Sequence, residues 1–453
     1  MFPSSMNRIA DQGEGIKQIA EGSYGKIRQK ENIVVKQMKI GYKEVDPVSS
    51  EEYFTLEPCN IREVCFLSQY SHPLINSIKG IDLRIIKEEE EEEENRKPLY
   101  EESKNLIDLY MEYGGTSLYN YRMKEPIQEL DLKYICYQLL VLFSQLEEFN
   151  FVHGDINHTN VLIDEQTLKI TVIDWGLMDF FPKYNQDKRG VEGFHPPELI
   201  LKGKHSPKSD IFSLGSLLLF CSTKIWLEEE DILPNYESKT EIKQLEQIKD
   251  PQIKEIISYM LKLNVNDRKF ASELLEFPFF QEYKIKETNY NSFQIKEVER
   301  IRFSSYFLSL EKRKELITWI YKKLKDYDLL YTFTLTCYFL DVYLSKCPSS
   351  FYESRLDVIM ASCAYLADLI MTHHGSESDH YTSFGKEVNL SADEMVEQTL
   401  LLLQSLNFVV YKSRFDHSLV KPNYELILLL VADPKGFGKE ESYFLNEYNK
   451  LNV

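Results

Sequence analysis

Three polar side chains define the chemistry within reach of this sequence. Asp155 and Asn160 stand five apart in His153-Gly154-Asp155-Ile156-Asn157-His158-Thr159-Asn160, and Asp174 follows Asp155 by nineteen residues in Ile173-Asp174-Trp175-Gly176. Moving a phosphoryl group requires a carboxylate near the attacking hydroxyl and oxygen ligands for magnesium from at least two chain segments. Asp155, Asn160 and Asp174 supply that set. Upstream, Ile19-Ala20-Glu21-Gly22-Ser23-Tyr24-Gly25-Lys26-Ile27 is a glycine-bearing turn between apolar runs. Such a turn lets backbone N–H groups approach phosphate oxygens without a Cβ in the way. Nine residues beyond Ile27, Lys36 ends Val34-Val35-Lys36, and strand alternation sends its ammonium to the same face as the turn. Glu63 lies in Asn60-Ile61-Arg62-Glu63-Val64-Cys65-Phe66-Leu67, a predicted helix, as an acid able to hold Lys36 and aim it at a nucleotide. Singly, a hairpin turn, a surface lysine or a solvated acid is an ordinary feature; together they are a poor match to chance.

The elements that must position these groups change character along the chain. Residues 16–113 alternate short β-branched runs with turns and one helix, and residues 130–283 are mainly helical, with long apolar faces over Leu132–Phe149 and Ile211–Phe220. Lys284–Glu299 is polar and weakly periodic and is expected to be a linker of 16 residues, spanning up to about 54 Å if extended. Residues 300–415 form a succession of apolar-faced helices. Leu316, Ile320 and Leu324 mark one, Leu335, Phe339 and Val342 a second, and Ser354–Met371 with Ala361, Ala364 and Ala367 a third. Ser391-Ala392-Asp393-Glu394 is a capping box opening another. Residues 1–15 and 416–453 read as tails. Glu88–Glu94, seven consecutive glutamates, reads as a solvated loop.

The chain has 453 residues and a formal charge of 53 − 72 = −19, or −12 without that glutamate run. Acidity disfavours nucleic acid or an anionic membrane as the main partner. A hydrophobic fraction of 43% with 13% aromatics excludes global disorder. No apolar run reaches the roughly 18–20 residues of a membrane span, and no targeting signal is seen. The seven cysteines lie far apart without a C-x-x-C pair, as expected of free thiols in an intracellular reducing compartment. Cytoplasm or nucleus of a eukaryotic or host cell is expected.

On these motifs the sequence resembles a eukaryotic-type protein kinase over residues 16–283. The resemblance implies an α+β bilobal fold, an N-lobe of 16–112 and a C-lobe of 113–283, with ATP and Mg2+ as cofactors and protein as substrate. Ile19, Ala20, Gly22, Gly25 and Ile27 match the glycine-rich loop, with Ala20 where the family usually has the first glycine. Lys36 would hold the α/β-phosphates and pair with Glu63. Met111 would be the gatekeeper, and Glu112 and Tyr113 the adenine-binding hinge. Asp155 would be the catalytic base, and Asn160 and Asp174 the magnesium ligands. Pro197-Glu198 matches the end of the activation segment, Glu198 pairing with Arg268, and Asp210 and Gly215 the buried helix behind the catalytic loop. Asn60-Ile61-Arg62-Glu63 resembles the cyclin-binding helix of cyclin-dependent kinases, and Asp174-Trp175-Gly176-Leu177 resembles casein kinase 2.

Four departures stand out. Gly154 occupies the place of an arginine that reads an activation-loop phosphate, and Tyr184 is the only hydroxyl side chain between Leu177 and His195. Asn157 replaces a lysine and Val191 a hydroxyl residue, which are expected to leave Asp155 less supported. Residues 300–415 resemble a cyclin box, so an all-α cyclin-like domain is expected after the kinase. Asp368 and Thr399 fall where cyclins usually carry the lysine and glutamate that contact the kinase, and 416–453 would be a remnant of a second cyclin fold. Together the halves resemble the kinase–cyclin fusions of giant DNA viruses. The expected function is an ATP- and Mg-dependent kinase, serine/threonine-directed and activated in cis by its own cyclin-like domain through Ile61. The alternative is a pseudokinase–cyclin scaffold. His373, His374 and His380, in a polar loop without cysteines, are not expected to bind metal.

Overall fold

The structure is a computed structural model that describes residues 17–22, 25–45, 52–84, 106–149, 151–179, 190–238, 240–286, 290, 293–295, 315–316, 319, 330–346, 356–371, 388 and 390–408. The glutamate run, Tyr184, the three loop histidines, residues 416–453 and most of the first C-terminal helix read from the sequence lie outside these. In chain order the elements are β1 (Lys17–Gly22), β2 (Gly25–Lys30), β3 (Ile33–Lys39), β4 (Gly41–Val45), β5 (Glu52–Leu56), α1 (Pro58–Gln69), β6 (Tyr70–Ser71), β7 (Ile78–Arg84), β8 (Leu106–Glu112), β9 (Thr116–Ser117), α2 (Leu118–Lys124) and α3 (Glu129–Glu148). There follow β10 (Val161–Ile163), β11 (Ile170–Val172), α4 (Pro197–Lys202), α5 (Pro207–Thr223), α6 (Glu229–Ser238), α7 (Pro251–Met260), α8 (Ala271–Leu274), α9 (Gln281–Lys286) and β12 (Gln294–Ile295), and then α10 (Leu330–Lys346), α11 (Leu356–Met371) and α12 (Ala392–Ser405).

Two compact units result. The first draws on the described parts of Met1–Met38, Tyr70–Arg84 and Leu106–Gln294, and the second on those of Lys39–Gln69, Ile85–Asn105 and Ile295–Val453.

In the first unit a five-stranded sheet runs in the order β1-β2-β3-β8-β7. Below it lies a helical body. Its core is α3 against α5, where Ile135, Leu139, Leu142, Ile211, Leu214 and Leu218 are buried. Each such side chain contributes roughly 1.5–3 kcal/mol by leaving water. Helix α5 begins with Ser206 and Ser209 capping each other and Pro207 at its first turn. It carries Gly215, where a Cβ would come within 2.8 Å of the Met260 Cβ on α7. The hairpin β10–β11 pairs Val161 with Val172 and Ile163 with Ile170. The segment read as a linker has structure within this unit. The Tyr290 carbonyl accepts from Gln145 Nε2 at 2.8 Å and lies 2.9 Å from His72 Nε2, and the Phe293 ring packs on Phe149 and Tyr70.

In the second unit β4 and β5 form an antiparallel hairpin ahead of α1. Helices α10 and α12 both pack on α11, whose Ala361, Ala364 and Ala367 are fully buried. Small side chains let neighbouring helices approach closely, as the sequence pattern indicated. The predicted capping box is present at α12, with Ser391 Oγ accepting from the Glu394 N–H at 3.3 Å and Glu394 Oε2 from the Ser391 N–H at 2.9 Å. Helix α1 belongs to this unit and packs against α11, while β5 packs against α12. Two hydrogen bonds hold the entry to α1. The Leu56 N–H donates to Tyr365 Oη at 3.1 Å, and Thr55 Oγ1 lies 3.1 Å from the same oxygen. Ile61 is buried at 1% exposure, and so are Arg62 and Glu63 on either side of the expected apolar face.

Candidate active site

The sheet aligns the phosphate-side residues. Ala20 pairs with Ile27, and Ile27 with Lys36, so the three share a register position across β1, β2 and β3. Cross-strand partners lie on one face, which is the face expected for Lys36. Ile19 sits where the β1–β2 register shifts, in a bulge. At the far end of β8, Met111 is buried and its sulfur accepts from Asn76 Nδ2 at 2.6 Å. Glu112 and Tyr113 follow it exposed, the Tyr113 N–H donating to the Asn32 carbonyl at 3.0 Å.

The β10–β11 hairpin brings Asn160, just before one strand, to the end where Asp174 follows the other. The Ile173 N–H donates to the Asn160 carbonyl at 3.0 Å. Asp174 adopts φ 65°, ψ 69°, a left-handed conformation that Asp tolerates better than most residues but that costs energy. Its Oδ1 accepts from Lys36 Nζ at 3.1 Å. Strain retained at a residue so held is the mark of a site where position matters more than backbone comfort.

Asp155 is held from three directions. Oδ1 accepts from Asn157 Nδ2 at 3.0 Å, Oδ2 accepts from Asn160 Nδ2 at 2.8 Å, and the Val191 N–H also donates to the carboxylate. Burial, and next the Asp174 charge, push its carboxyl up to about 7, against the downward pull of those donors. Asn157 is more than a lost lysine. Its Oδ1 accepts from Thr159 N–H, Thr159 Oγ1 and Asn160 N–H at 2.8, 2.6 and 3.2 Å. It therefore braces the loop and Asp155 together. The expectation that Asn157 and Val191 leave Asp155 less supported is corrected by these bonds, because an amide and a backbone N–H donate where a lysine and a hydroxyl were looked for.

Behind Asp155, Asp210 accepts from the His153 and Gly154 backbone N–H groups at 2.6 and 3.0 Å, and burial raises its carboxyl to about 7. His153 accepts the Asp155 N–H at Nδ1, so Nε2 carries the proton toward the Ile173 carbonyl, 3.1 Å away. Burial lowers its pKa to about 4, which keeps the ring neutral. Gly154 has φ +80°, and a Cβ there would stand 2.7 Å from the Leu177 carbonyl oxygen. The missing arginine is thus part of a backbone path that excludes any side chain. Gly190, passed over in the sequence, has φ +89° and leaves 2.8 Å between a hypothetical Cβ and Asp155 Oδ1. Its only sequence trace is the pair of glycines in Gly190-Val191-Glu192-Gly193.

Arg268 meets Glu198 through Nη1–Oε1 at 2.7 Å and Nη2–Oε2 at 3.1 Å, with further bonds to the Lys208 and Lys262 carbonyls. Arg268 is 1% exposed, and this bidentate pair ties α4 to α5 and the Lys262–Arg268 turn. Glu63 and Ile61 are buried on α1 in the second unit.

The donor set suits a magnesium nucleotide. Asn160 uses its amide nitrogen on Asp155, so its side-chain oxygen, a hard acceptor, would be the atom to hold a cation, with the Asp174 carboxylate as the second oxygen donor.

A protein kinase domain model matches residues 14–280, and a cyclin N-terminal domain model matches residues 280–411. The chain belongs to the protein kinase family and carries a cyclin domain behind the kinase domain. It is 26% identical over 248 residues to the CTD kinase subunit alpha of Saccharomyces cerevisiae, covering 51% of this chain and 39% of that one. It is 28% identical over 215 residues to a probable serine/threonine-protein kinase of Dictyostelium discoideum, covering 45% of this chain and 13% of that one. Over 249 residues it is also 28% identical to the discoidin domain-containing receptor tyrosine kinase B of Caenorhabditis elegans, covering 51% and 28%. The chain thus spans less than half the length of these relatives. Among the described residues no helix is long and apolar enough to cross a membrane.

Proposed function

We propose that the chain is an ATP- and magnesium-dependent, serine/threonine-directed protein kinase, activated in cis by its cyclin domain and independent of activation-loop phosphorylation. The observation that carries the catalytic half is the Asp155 carboxylate, held by Asn157, Asn160 and the Val191 N–H beside an Asp174 paired with Lys36. Asn160 and Asp174 would hold magnesium, which supplies charge neutralisation at the transferred phosphoryl group. Lys36 binds phosphate oxygens, the β1–β2 turn covers them, and Met111 to Tyr113 receive the adenine. Asp155, with a pKa near 7, accepts the substrate hydroxyl proton once ionised.

The cis half is supported by α1 sharing a compact unit with α10–α12, and by Tyr365 holding the main chain at Leu56. Independence from phosphorylation is supported by Gly154, whose backbone admits no arginine. The serine/threonine assignment is supported by serine/threonine kinases among the relatives. The six described cysteines are buried free thiols, in keeping with a cytoplasmic or nuclear reducing compartment.

The test is transfer of the γ-phosphate to a protein substrate by purified full-length chain, alone and after phosphatase treatment, beside Lys36→Met and Asp174→Asn. Turnover that survives the phosphatase and falls in both variants is expected. Identical background in all three proteins would leave the scaffold reading in its place.

A further inference from the structure

The Val191 N–H donates to Asp155, and the segment that carries it has no phosphate-reading side chain at Gly154 to hold it in place. Three residues on, Phe194 is buried. Its N–H donates to the Val191 carbonyl at 3.3 Å, and its own carbonyl accepts from Ser213 Oγ on α5 at 2.7 Å. Between them Gly193 runs at φ +88°, where a Cβ would stand 2.7 Å from the Leu227 carbonyl oxygen. The segment therefore lies directly on the turn that follows α5. At that turn five rings meet. His158, three residues after Asp155, has its ring centroid 5.3 Å from Phe194, 5.2 Å from Phe220 in the last turn of α5, 4.8 Å from Tyr119 on α2 and 4.4 Å from Trp226. Trp226 closes the group at 4.6 Å from Phe220 and 6.1 Å from Phe194. His158 meets Tyr119, Phe220 and Trp226 edge to face, an arrangement that ring quadrupoles favour.

His158 is the polar member of this group. Its side chain is buried, Nδ1 has no hydrogen-bond partner, and burial lowers its pKa to about 4, so the ring is neutral. A buried nitrogen left unbonded is destabilising, so the packing of the ring is what holds the residue there. Its main chain is fixed as well, the carbonyl accepting from the Tyr119 N–H at 2.9 Å. We propose that His158 is a positioning residue: with Trp226 and Phe220 it clamps Phe194 to the loop of Asp155, and so keeps the Val191 N–H on the Asp155 carboxylate without a phosphate. The clamp rests on the phosphorylation-independent reading above and names what takes the place of the phosphate.

The experiment uses the full-length chain and reads phosphotransfer kinetics and thermal unfolding. Trp226 is 40% exposed, so shortening it removes the outer wall of the clamp and little of the core. Trp226→Ala should lower kcat about tenfold with the KM for ATP held, and Trp226→Phe should return to within about threefold of wild type. His158→Ala should behave like Trp226→Ala, and His158→Phe, which keeps a ring and drops the unbonded nitrogen, should recover most of the rate and of the Tm. An imidazole acting through its nitrogens would not be rescued by phenylalanine. Phe194→Ala combined with His158→Ala should be within about twofold of the slower single variant, because either change opens the same clamp. A folded Trp226→Ala with wild-type kcat overturns the clamp, as does a His158→Phe no better than His158→Ala, or a double variant with the combined loss of both singles. If either alanine variant in the core fails to fold, the Trp226 pair decides. Absence of turnover in the wild type would overturn the kinase reading instead, and the same cycle read in Tm would still decide whether His158 and Phe194 act together.

Discussion

Around Asp155 the chain holds itself together over very short distances in sequence. Asn157 bonds two residues back and two and three residues on, and Asn160 bonds five back. The entry to α1 is held in the opposite way, by a tyrosine 309 residues further along. In the first arrangement the Asn157 and Asn160 bonds form with the loop itself, and Val191 and Asp210 then add to them from further along the chain. The second exists only while α11 is docked. An enzyme built this way separates two properties, since most of the side-chain bonds at Asp155 come from its own segment while the entry to the helix that carries Glu63 is held by another. A regulatory contact acts most economically at the second kind of site.

The comparison breaks first if the local site is not catalytic. Asp174→Asn removes a charge from the proposed metal ligand, and Lys36→Met removes its 3.1 Å partner. Either should cost several kcal/mol of transition-state stabilisation, about a hundredfold or more in rate. Initial rates at saturating ATP measure this, and rates equal to wild type would remove Asp174 and Lys36 from the chemistry.

The long-range site is tested by Ile61→Asp. Ile61 is buried at 1% exposure on α1, so an aspartate there places an unpaired carboxylate where water does not reach. A loss of roughly tenfold in rate is expected through the misplaced helix. The first unit has its own core, so circular dichroism should retain most of the helical signal and Asp155-side chemistry should lose rate without losing its pH dependence. Unchanged activity would show that α1 needs no cover, leaving the cyclin domain as a recruiting module.

Sequence legibility follows the same division. The groups bonded within a few residues were readable because their spacing is the bond: Asp155 with Asn160, and the Ser391–Glu394 capping box. Lys36 was readable through strand alternation. Glu198–Arg268, 70 residues apart, was reachable only through family resemblance, because nothing local requires it. Tyr365 was missed because it stands among apolar neighbours in a largely apolar helix, where a tyrosine reads as core. Asn157 was seen but misjudged, since residue type shows that a lysine is gone without showing what the amide bonds. Gly190 carries no signal beyond being glycine, and its role appears only when Asp155 Oδ1 is seen beside it.

Gly190→Ala probes how tightly the local site is built. The backbone there is left-handed and the added methyl would press on Asp155 Oδ1 from 2.8 Å. The left-handed penalty alone is about 1–2 kcal/mol, so kcat should fall several-fold. The KM for ATP should hold, because the nucleotide-side residues lie elsewhere. A proportionate rise in KM with kcat unchanged would place the disturbance outside the catalytic loop.

The smallest effect sharpens the comparison most, because it separates bracing the loop from tuning the base. Asp155 must be ionised to accept a proton, and burial has raised it to about 7, so kcat/KM should rise with pH through that region. Asn157 donates to the charged form at 3.0 Å and pulls the pKa down. Asn157→Ala removes that donor, so the acid limb should move to higher pH, by about half a unit. Asn157→Asp keeps an acceptor for Thr159 and Asn160 but sets a second negative charge against Asp155, so its limb should move further in the same direction. A residue that merely braced the loop would lower the rate equally at every pH, and would do so more in the alanine variant than in the aspartate one. The two readings therefore predict opposite orders for the same pair of variants near pH 7, and a pH–rate profile of each decides between them.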